Sequence, residues 1–182
     1  KGAKIIIISH LGRPKGKFKS ELSLLPIRDN LISQVKEKIK LEKRNIFNLK
    51  KDELFKSADE KLIILENIRF YPEEENNNEK FSEHLAKLGD IYVNDAFSCS
   101  HREHASVTSI TKFIPSYSGL QINSEVEALK KITTEIKKPI TCIIGGSKIS
   151  TKIDIIKNLI HKFDNIVICL LYTSDAADDV LC

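Results

Sequence analysis

The chain has 182 residues, of which 41% are hydrophobic and 30% are charged, a composition typical of a globular protein with one domain or slightly more. No apolar run approaches the ~20 residues of a membrane-spanning helix, and the basic start leads into four isoleucines and a loop rather than a secretory signal. The net charge of +4 is a small excess along amphipathic segments, which favours an ordinary charged surface. Four scattered cysteines without a CxxC pair indicate reduced thiols and predict a cytoplasmic protein.

The stretch from Lys4 to Lys17, KIIIISHLGRPKGK, predicts a strand that ends in a polar loop. Four consecutive isoleucines are typical of a short strand buried on both faces, as in a parallel sheet. After Ser9 the chain turns polar, with a His, an Arg, a Pro and two Gly within seven residues. Ligands of open α/β sheets bind in loops at the carboxyl ends of strands, so this loop is the first candidate binding segment.

The following elements alternate between helix and strand. Apolar residues at spacings of three and four predict an amphipathic helix over about 23–40, with Pro26 in its first turn. The acidic, Asn-rich residues 73–80 predict a solvated loop. The other expected elements are a strand at 45–49, a helical turn at 52–60, a buried strand at 62–65, a helix at 81–88, a strand at 91–93, a helix at 126–136, a strand at 140–144, a helix at 149–163 and a strand at 166–169. This alternation predicts an α/β fold with a mostly parallel sheet.

Three of the five arginines, Arg13, Arg69 and Arg102, follow the predicted carboxyl ends of three different strands. Those ends lie on one edge of a parallel sheet, so the guanidiniums can converge with His10 and His101 on one basic cavity. Such a cavity suits a small, densely anionic ligand, because each guanidinium can fork onto phosphate or carboxylate oxygens. Each arginine considered alone is more typical of a charged surface residue. The shared position of all three at strand ends favours a ligand site.

Several nearby polar residues have plainer explanations. His10 and His101 could equally be core histidines whose ring nitrogens are hydrogen-bonded within the protein. The sequence does not decide the role of His104. A metal site built on His101 and His104 lacks further ligands. Asp95 reads best as a carboxylate that organises its own loop.

A fourth strand end carries Gly145, Gly146, Ser147 and Lys148 and runs directly into a helix. Glycines at such a turn let the backbone approach a phosphate, and the helix N-terminus adds positive potential. Lys152 lies one turn after Lys148, so both ammonium groups share one helix face. The spacing matches neither GxxxxGK[ST] nor GxGxxG, and strand–Gly-Gly–helix is also ordinary turn chemistry.

Four segments, in this order along the chain, resemble the successive signatures of the phosphoglycerate kinase family: SHLGRPKG, ILENIRFYPEEE, YVNDAFSCSHREHAS and IIGGSKISTKI. The resemblance covers about residues 1–169. It implies reversible phosphoryl transfer between 1,3-bisphosphoglycerate and ADP, giving 3-phosphoglycerate and ATP in glycolysis. It also implies a doubly wound, Rossmann-like N-terminal domain followed by the truncated start of a second α/β domain, in a monomer that binds small molecules rather than nucleic acid or membrane.

The resemblance also implies a role for each matching residue. The 3-phosphoglycerate moiety would bind to His10, Leu11, Gly12, Arg13, Arg69 and Arg102. The nucleotide phosphates would bind to Gly145, Gly146, Ser147, Lys148 and Lys152, with Lys148 and Gly146 beside the transferring group. Phosphoryl transfer depends on positioning and positive charge, which agrees with the residue-level interpretation.

The resemblance divides the chain into a substrate-binding domain at 1–119, an interdomain helix at 120–138 and the start of a nucleotide-binding domain at 139–169. Residues 170–182 depart from the family pattern, and we expect them to be an artefactual tail. The family's first strand and its catalytic arginine would precede Lys1, and the Mg²⁺ ligand would follow residue 182. We therefore expect an internal fragment that is inactive alone.

Two other functions compete with the kinase. A non-catalytic phosphometabolite-binding module would use the arginine cavity alone. A basic nucleic-acid binder would need aromatic side chains interleaved with a basic stripe. The aromatic residues here fall mostly in core or motif positions, which ranks that hypothesis last.

Overall fold

The computed structural model describes residues 2–35, 37–57, 59–134, 136–146 and 153–170. The chain divides into a first compact unit that ends at Ile122 and a second that begins at Asn123. None of the helices in the described ranges is long and apolar enough to cross a membrane.

The first unit contains a three-stranded parallel sheet with strand order β1-β3-β2. Its strands are β1 (Ile5–Ile7), β2 (Ile39–Glu42) and β3 (Leu62–Leu65). The central strand is the most buried, as its continuous apolar sequence predicts. β1 is less buried than predicted: Ile5 is 48% exposed and the next two isoleucines are half-buried. β1 pairs only with β3 among the described strands, so one of its edges gains no cover from a neighbour.

The helix predicted over about 23–40 is shorter, because α1 spans Leu25–Gln34 and the chain then enters β2. Pro26 does lie in the first turn of α1. In β2, Ile39 pairs with Leu62 of β3, and pairing with β3 buries Ile39. Tertiary pairing thus overrides a helical spacing of apolar residues. The strand predicted at 45–49 is wrong, because Ile46–Asn48 form a 3-10 turn capped by the Asn45 side chain.

The core of the first unit lies where the sheet meets α4 (Glu79–Ala86) and the segments around it. The Asn78 side chain accepts a hydrogen bond from Phe81 N at 3.0 Å and so caps α4, as its N-terminal position favours. Phe81 is fully buried, together with Leu54 of the short helix α2 (Lys51–Leu54). Burial of these apolar side chains is the main stabilising contribution in this unit.

Part of the loop predicted at 73–80 is helical, because α3 spans Pro72–Glu75. Pro72 lies at the start of α3, where a missing backbone N–H costs little. Further along the chain, β4 (Tyr92–Asn94) pairs in parallel with β5 (Ser116–Ser118), a strand that the sequence pattern does not predict. These two form a separate sheet from β1-β3-β2 in the described part of the chain.

The second unit contains the parallel pair β6 (Thr141–Gly146) and β7 (Asn165–Leu170), joined through α6 (Ile153–Leu159). The helix α5 (Leu120–Thr133) precedes them and matches the helix predicted before Pro139. The predicted strands at 140–144 and 166–169 are confirmed. The start of the helix predicted at 149–163 and residues 171–182 of the predicted tail lie outside the described residues.

Candidate functional site

The loop after β1 is shaped by Gly12 and by contacts with the segment after β3. Gly12 has a φ of +63°, and a Cβ there would lie 2.7 Å from Leu22 Cδ2, so this position strongly favours glycine. The buried Asn67 side chain donates hydrogen bonds to the carbonyl oxygens of Leu11 at 2.8 Å and Leu22 at 2.9 Å. One amide side chain thus holds two turns of this loop.

Arg69 also supports the loop, because its Nη1 donates a hydrogen bond to the Gly12 carbonyl at 2.9 Å. The residue is only 5% exposed. Its Nε lies 3.7 Å from the Glu75 carboxylate and makes no hydrogen bond with the described residues. A buried guanidinium nitrogen without a hydrogen bond is costly, and the negative charge of the nearby Glu75 carboxylate offsets part of that cost.

The segment between Arg102 and Ser106 is fixed by the buried carboxylate of Glu74, in α3. Glu74 Oε2 accepts from Ser106 N at 2.9 Å, and Oε1 accepts from Ser106 Oγ at 2.7 Å. Its backbone carbonyl accepts from Ala105 N at 2.9 Å. His104 Nδ1 lies 3.6 Å from Oε1, which is too long for a hydrogen bond.

Four basic side chains act on one another electrostatically in the first unit. Burial lowers the pKa of His10 below its usual value, and the positive charges of Arg69, Arg102 and His104 lower it further. Burial likewise lowers the pKa of His104, followed by the charges of Arg69 and Arg102. These effects place both histidines near Arg69 and Arg102, and the Glu75 carboxylate acts on each histidine in the opposite direction. The four basic side chains form the basic cluster of this unit: His10, Arg69, Arg102 and His104.

The strands that precede the three arginines belong to two sheets in the described part of the chain. Arg13 and Arg69 follow β1 and β3, which are neighbours in one sheet, as predicted. Arg102 follows β4, which pairs with β5 in a separate sheet among the described strands. The described strands therefore connect Arg102 to a different sheet from Arg13 and Arg69, and the single edge predicted for all three arginines stays a prediction, although Arg69 and Arg102 both act on His10.

The other predicted site residues lie in different surroundings. Leu11, Gly12 and Arg13 are exposed in the loop after β1, and His101 is exposed beside Arg102. Gly145 and Gly146 are the last residues of β6. Ser147, Lys148 and Lys152, which the sequence assigns to nucleotide binding, lie outside the described residues.

Two residues of this region were not assigned a role from the sequence. His104 was left undecided, although its spacing of two from Arg102 in HREH could have placed it in the same loop. Glu74 lies within the acidic run that predicts a solvated loop, so its burial could not be recognised. Among the described residues no group of three His, Cys, Asp or Glu side chains is arranged to hold a metal ion.

Comparison with known proteins identifies the family. A family model for phosphoglycerate kinase matches residues 1–173. Phosphoglycerate kinases of Bartonella bacilliformis and of Wolbachia pipientis wMel are 45% and 47% identical over 168 and 167 residues, which are 92% and 91% of this chain. The chain spans 42% of the length of each of these relatives.

Solved structures give the same result. The phosphoglycerate kinase structure from Coxiella burnetii superposes with a TM-score of 0.76 at 31% identity, covering 98% of this chain and 50% of that chain. The phosphoglycerate kinase from Pyrococcus horikoshii OT3 superposes with a TM-score of 0.77 at 25% identity, covering 92% of this chain and 43% of that chain. These matches confirm the α/β fold with parallel strands and the resemblance found in the four sequence segments. The chain belongs to the phosphoglycerate kinase family.

Proposed function

We propose that this chain is part of a phosphoglycerate kinase and that its first unit binds 3-phosphoglycerate. The observation that carries the proposal is the basic cluster of His10, Arg69, Arg102 and His104, three of whose members were reached independently from the strand ends. The complete enzyme would transfer a phosphoryl group between 1,3-bisphosphoglycerate and ADP. A cluster of fixed cations suits this reaction, because phosphoryl transfer depends on positioning and charge rather than on covalent chemistry by the protein.

Each member of the cluster has a distinct part in binding. Arg69 donates to the Gly12 carbonyl through Nη1, and its guanidinium would contribute positive charge to the binding of an anion. Arg102 and the exposed Arg13 supply further guanidiniums, and Leu11 and Gly12 form the loop that closes against the ligand. A bound anion would favour the protonated forms of His10 and His104 and so raise their lowered pKa values, and binding should therefore be accompanied by proton uptake.

We propose that the second unit binds the nucleotide through residues 145–148 and Lys152. Its support is the sequence pattern: the strand β6 ends in two glycines, where the backbone could approach a phosphate. The kinase reaction uses Mg²⁺ with the nucleotide, but the described residues offer no cluster of carboxylates that fits this ion. As the family resemblance implies, we propose that the Mg²⁺ ligands lie in another part of the enzyme.

A second candidate is a phosphometabolite-binding module without catalysis. The observation in its favour is that the whole basic cluster lies in the first unit, which has its own hydrophobic core. ATP-dependent turnover of 3-phosphoglycerate by this chain completed with the family's flanking segments would support the kinase. Binding without turnover in the completed chain would favour the module.

The direct test is an NMR titration of the chain with 3-phosphoglycerate, with glycerate as the matched ligand that lacks phosphate. Far-UV circular dichroism checks that the chain is folded. We expect shifts clustered on His10, Arg69, Arg102 and His104 with 3-phosphoglycerate and weaker ones with glycerate. A folded chain that shows no shifts with either ligand would contradict the assigned substrate site.

Arg13→Ala sharpens this test, because Arg13 is exposed and its loss leaves the loop contacts of Asn67 and Arg69 in place. We expect 3-phosphoglycerate binding to weaken by about 1.5–3 kcal/mol, the contribution of a hydrogen bond to a charged group. Lys17→Ala is the control, since it removes an exposed positive charge from the same basic stretch. Equal, small losses in the two variants would mean that Arg13 acts only as a general surface charge.

A further inference from the structure

The strand pairing between β1 and β3 ends before the residues that would bind the substrate. The register of the two strands runs to Ile7 and Ile64, and a further backbone hydrogen bond joins Ile68 N to Ser9 O at 3.2 Å. The ladder sets the backbone of both segments up to this point. Beyond it, side chains of the segment after β3 contact the backbone of the loop after β1, and Asn67 makes two of these contacts.

The Asn67 side chain closes this loop across its width. Asn67 lies two residues after β3 and is fully buried. Its Nδ2 donates to the carbonyl oxygens of Leu11 at 2.8 Å and Leu22 at 2.9 Å, which lie 56 and 45 residues earlier in the chain. An amide offers two hydrogens on one nitrogen, so a serine, an aspartate or a leucine of similar size cannot make both bonds.

The oxygen of the same amide holds Arg69. Asn67 Oδ1 accepts from Arg69 N at 3.1 Å and caps the 3-10 turn Ile68–Phe70. The Arg69 guanidinium in turn donates to the carbonyl of Gly12, the residue after Leu11. Asn67 therefore contacts both sides of the hydrogen bond between Arg69 and Gly12: the backbone of Arg69, and the peptide group that precedes Gly12.

The middle and the end of the loop have anchors of their own. Gly16 N donates to the Arg69 carbonyl at 3.2 Å. At the end of the loop, the Glu66 carboxylate accepts from Leu24 N at 2.8 Å and from Ser23 Oγ at 2.7 Å. The first turn of the loop, by contrast, is held by the amide, and this is the turn that the proposed function assigns to the substrate.

From these contacts we infer that Asn67 is a positioning residue for the proposed 3-phosphoglycerate site: its amide fixes the turn of Leu11 and Gly12 against Arg69. The inference rests on the proposed function and adds a residue to the same site. Asn67 is fully buried, and both of its amide hydrogens and its oxygen already have partners, so it does not bind the ligand itself. Its loss would free the Gly12 carbonyl to move and would leave the Arg69 guanidinium less well oriented towards the ligand.

Asn67→Ala removes all three hydrogen bonds of the side chain. We expect it to weaken 3-phosphoglycerate binding by about tenfold, the equivalent of one well-made hydrogen bond. NMR titration of the 182-residue chain measures the affinity, and circular dichroism checks folding. Asn67→Ser keeps an oxygen that can accept from Arg69 N, but its hydroxyl ends one atom short of the amide nitrogen and carries a single hydrogen. We expect a similar loss of binding, which keeps the inference testable if Asn67→Ala does not fold.

Two controls separate positioning from a general loss of stability. Ser23→Ala removes the hydrogen bond to Glu66 at the end of the loop and leaves the first turn in place. Leu54→Ala removes a fully buried side chain of α2 from the core, to which no residue of the loop belongs, so it lowers stability without touching the loop. We expect both controls to bind 3-phosphoglycerate within about twofold of the original chain, as for changes at independent sites.

Residue-level hydrogen exchange reports on the loop without any ligand. The Gly16 amide is hydrogen-bonded to the Arg69 carbonyl, so its exchange rate follows the attachment of the loop to the segment after β3. Asn67→Ala should speed exchange at Gly16 more than exchange in β3. The Leu54→Ala control should leave the ratio of these two rates unchanged, and the same ratio in Asn67→Ala would contradict a role for Asn67 in holding the loop.

Kinetics of the enzyme completed with the family's flanking segments give a result that a loss of stability does not produce. A positioning role predicts a KM for 3-phosphoglycerate that is about tenfold higher in Asn67→Ala, with the KM for ATP unchanged. A folded Asn67→Ala or Asn67→Ser chain that binds 3-phosphoglycerate as tightly as the Ser23→Ala control, or an equal rise in both KM values, would overturn the inference and leave the proposed function standing. Absence of binding in the original chain and in both controls would overturn the proposed function and the inference with it.

Discussion

The two units contain the same local pattern, an apolar strand followed by a turn and a helix, but they bury it to very different degrees. In the first unit, β3 and α4 contribute to a cluster that includes the fully buried Phe81. In the second, β6 and β7 align over six register pairs, yet none of its described residues is buried, and Ile143 of β6 is 71% exposed. A backbone ladder therefore forms in both units, whereas among the described residues a cluster of buried apolar side chains is present only in the first.

This difference shows that strand pairing and burial of apolar side chains have separate physical causes. The β-branched runs in β3, β6 and β7 favour extended backbone, and parallel neighbours satisfy their N–H and C=O groups. Burial requires in addition that other elements cover the faces of the sheet. In the first unit α4 and the segments around it supply that cover, and the basic cluster is built upon it.

The largest expected effect comes from Phe81→Ala. Phe81 is fully buried in the core of the first unit, so we expect a loss of about 4 kcal/mol in the free energy of unfolding, the usual cost of removing a core aromatic side chain. Ile143→Ala is the counterpart in the second unit and should cost less than about 0.5 kcal/mol, as for an exposed site. Urea unfolding measures both.

Tyrosine fluorescence follows mainly the unfolding of the first unit, because three of the four tyrosines, Tyr71, Tyr92 and Tyr117, lie in it. Residue-level hydrogen exchange in β6 would follow the second unit separately. Comparable losses in stability for Phe81→Ala and Ile143→Ala would contradict the difference in burial between the two units.

Asn67→Ala has the next largest expected effect. The buried Asn67 side chain donates to Leu11 and Leu22, so alanine leaves both carbonyls without these bonds and should cost about 2–3 kcal/mol in stability. Asn45→Ala is the control: the Asn45 side chain only accepts from Phe47 N at an exposed turn, so its loss should cost about 1 kcal/mol or less. Thermal unfolding compares the two variants, and equal shifts in melting temperature would mean that the buried network contributes no more than one exposed cap.

The pH dependence of stability in Glu42→Gln compares a buried ion pair of the first unit with an exposed ion pair of the second. Hydrogen bonds from Arg44 lower the pKa of the buried Glu42 from 4.5 to about 2, despite the opposing effect of burial. A carboxyl group whose pKa is lower in the folded state stabilises the fold above its unfolded pKa. That stabilisation disappears as the pH falls from 4.5 towards about 2. Glu42→Gln should therefore cost about 2 kcal/mol at neutral pH and progressively less in acid.

The corresponding group in the second unit is the exposed Asp164, whose pKa is lowered by the hydrogen bond from Ile140 N and then by Lys138. Asp164→Asn should change stability less than Glu42→Gln, because solvent screens an exposed pair. Urea unfolding at about pH 7 and about pH 3 measures both variants. A cost for Glu42→Gln that is the same at the two pH values would show that the ion pair with Arg44 does not stabilise the folded state.

The sequence by itself determined the elements whose local pattern and tertiary role agree. The strands β1, β3, β4, β6 and β7 and the helices α4 and α5 lie where the apolar spacing predicts them. The order of the four family segments was enough to predict the family, and the strand ends alone indicated His10, Arg69 and Arg102 as candidate ligand-binding residues. Local propensity and turn chemistry suffice for these features, because nothing distant competes with them.

Tertiary structure decided the features that depend on contacts between distant segments. Residues 39–42 continue a helical spacing but form β2, because pairing with β3 buries Ile39. Arg69 follows a strand end as predicted, but its burial and its bond to Gly12 depend on a loop 57 residues away. Glu74 reads as one acid among several, and only the approach of Ser106, 32 residues later, supplies the donors that allow its carboxylate to be buried. Such burial depends on a specific partner, which no local pattern encodes.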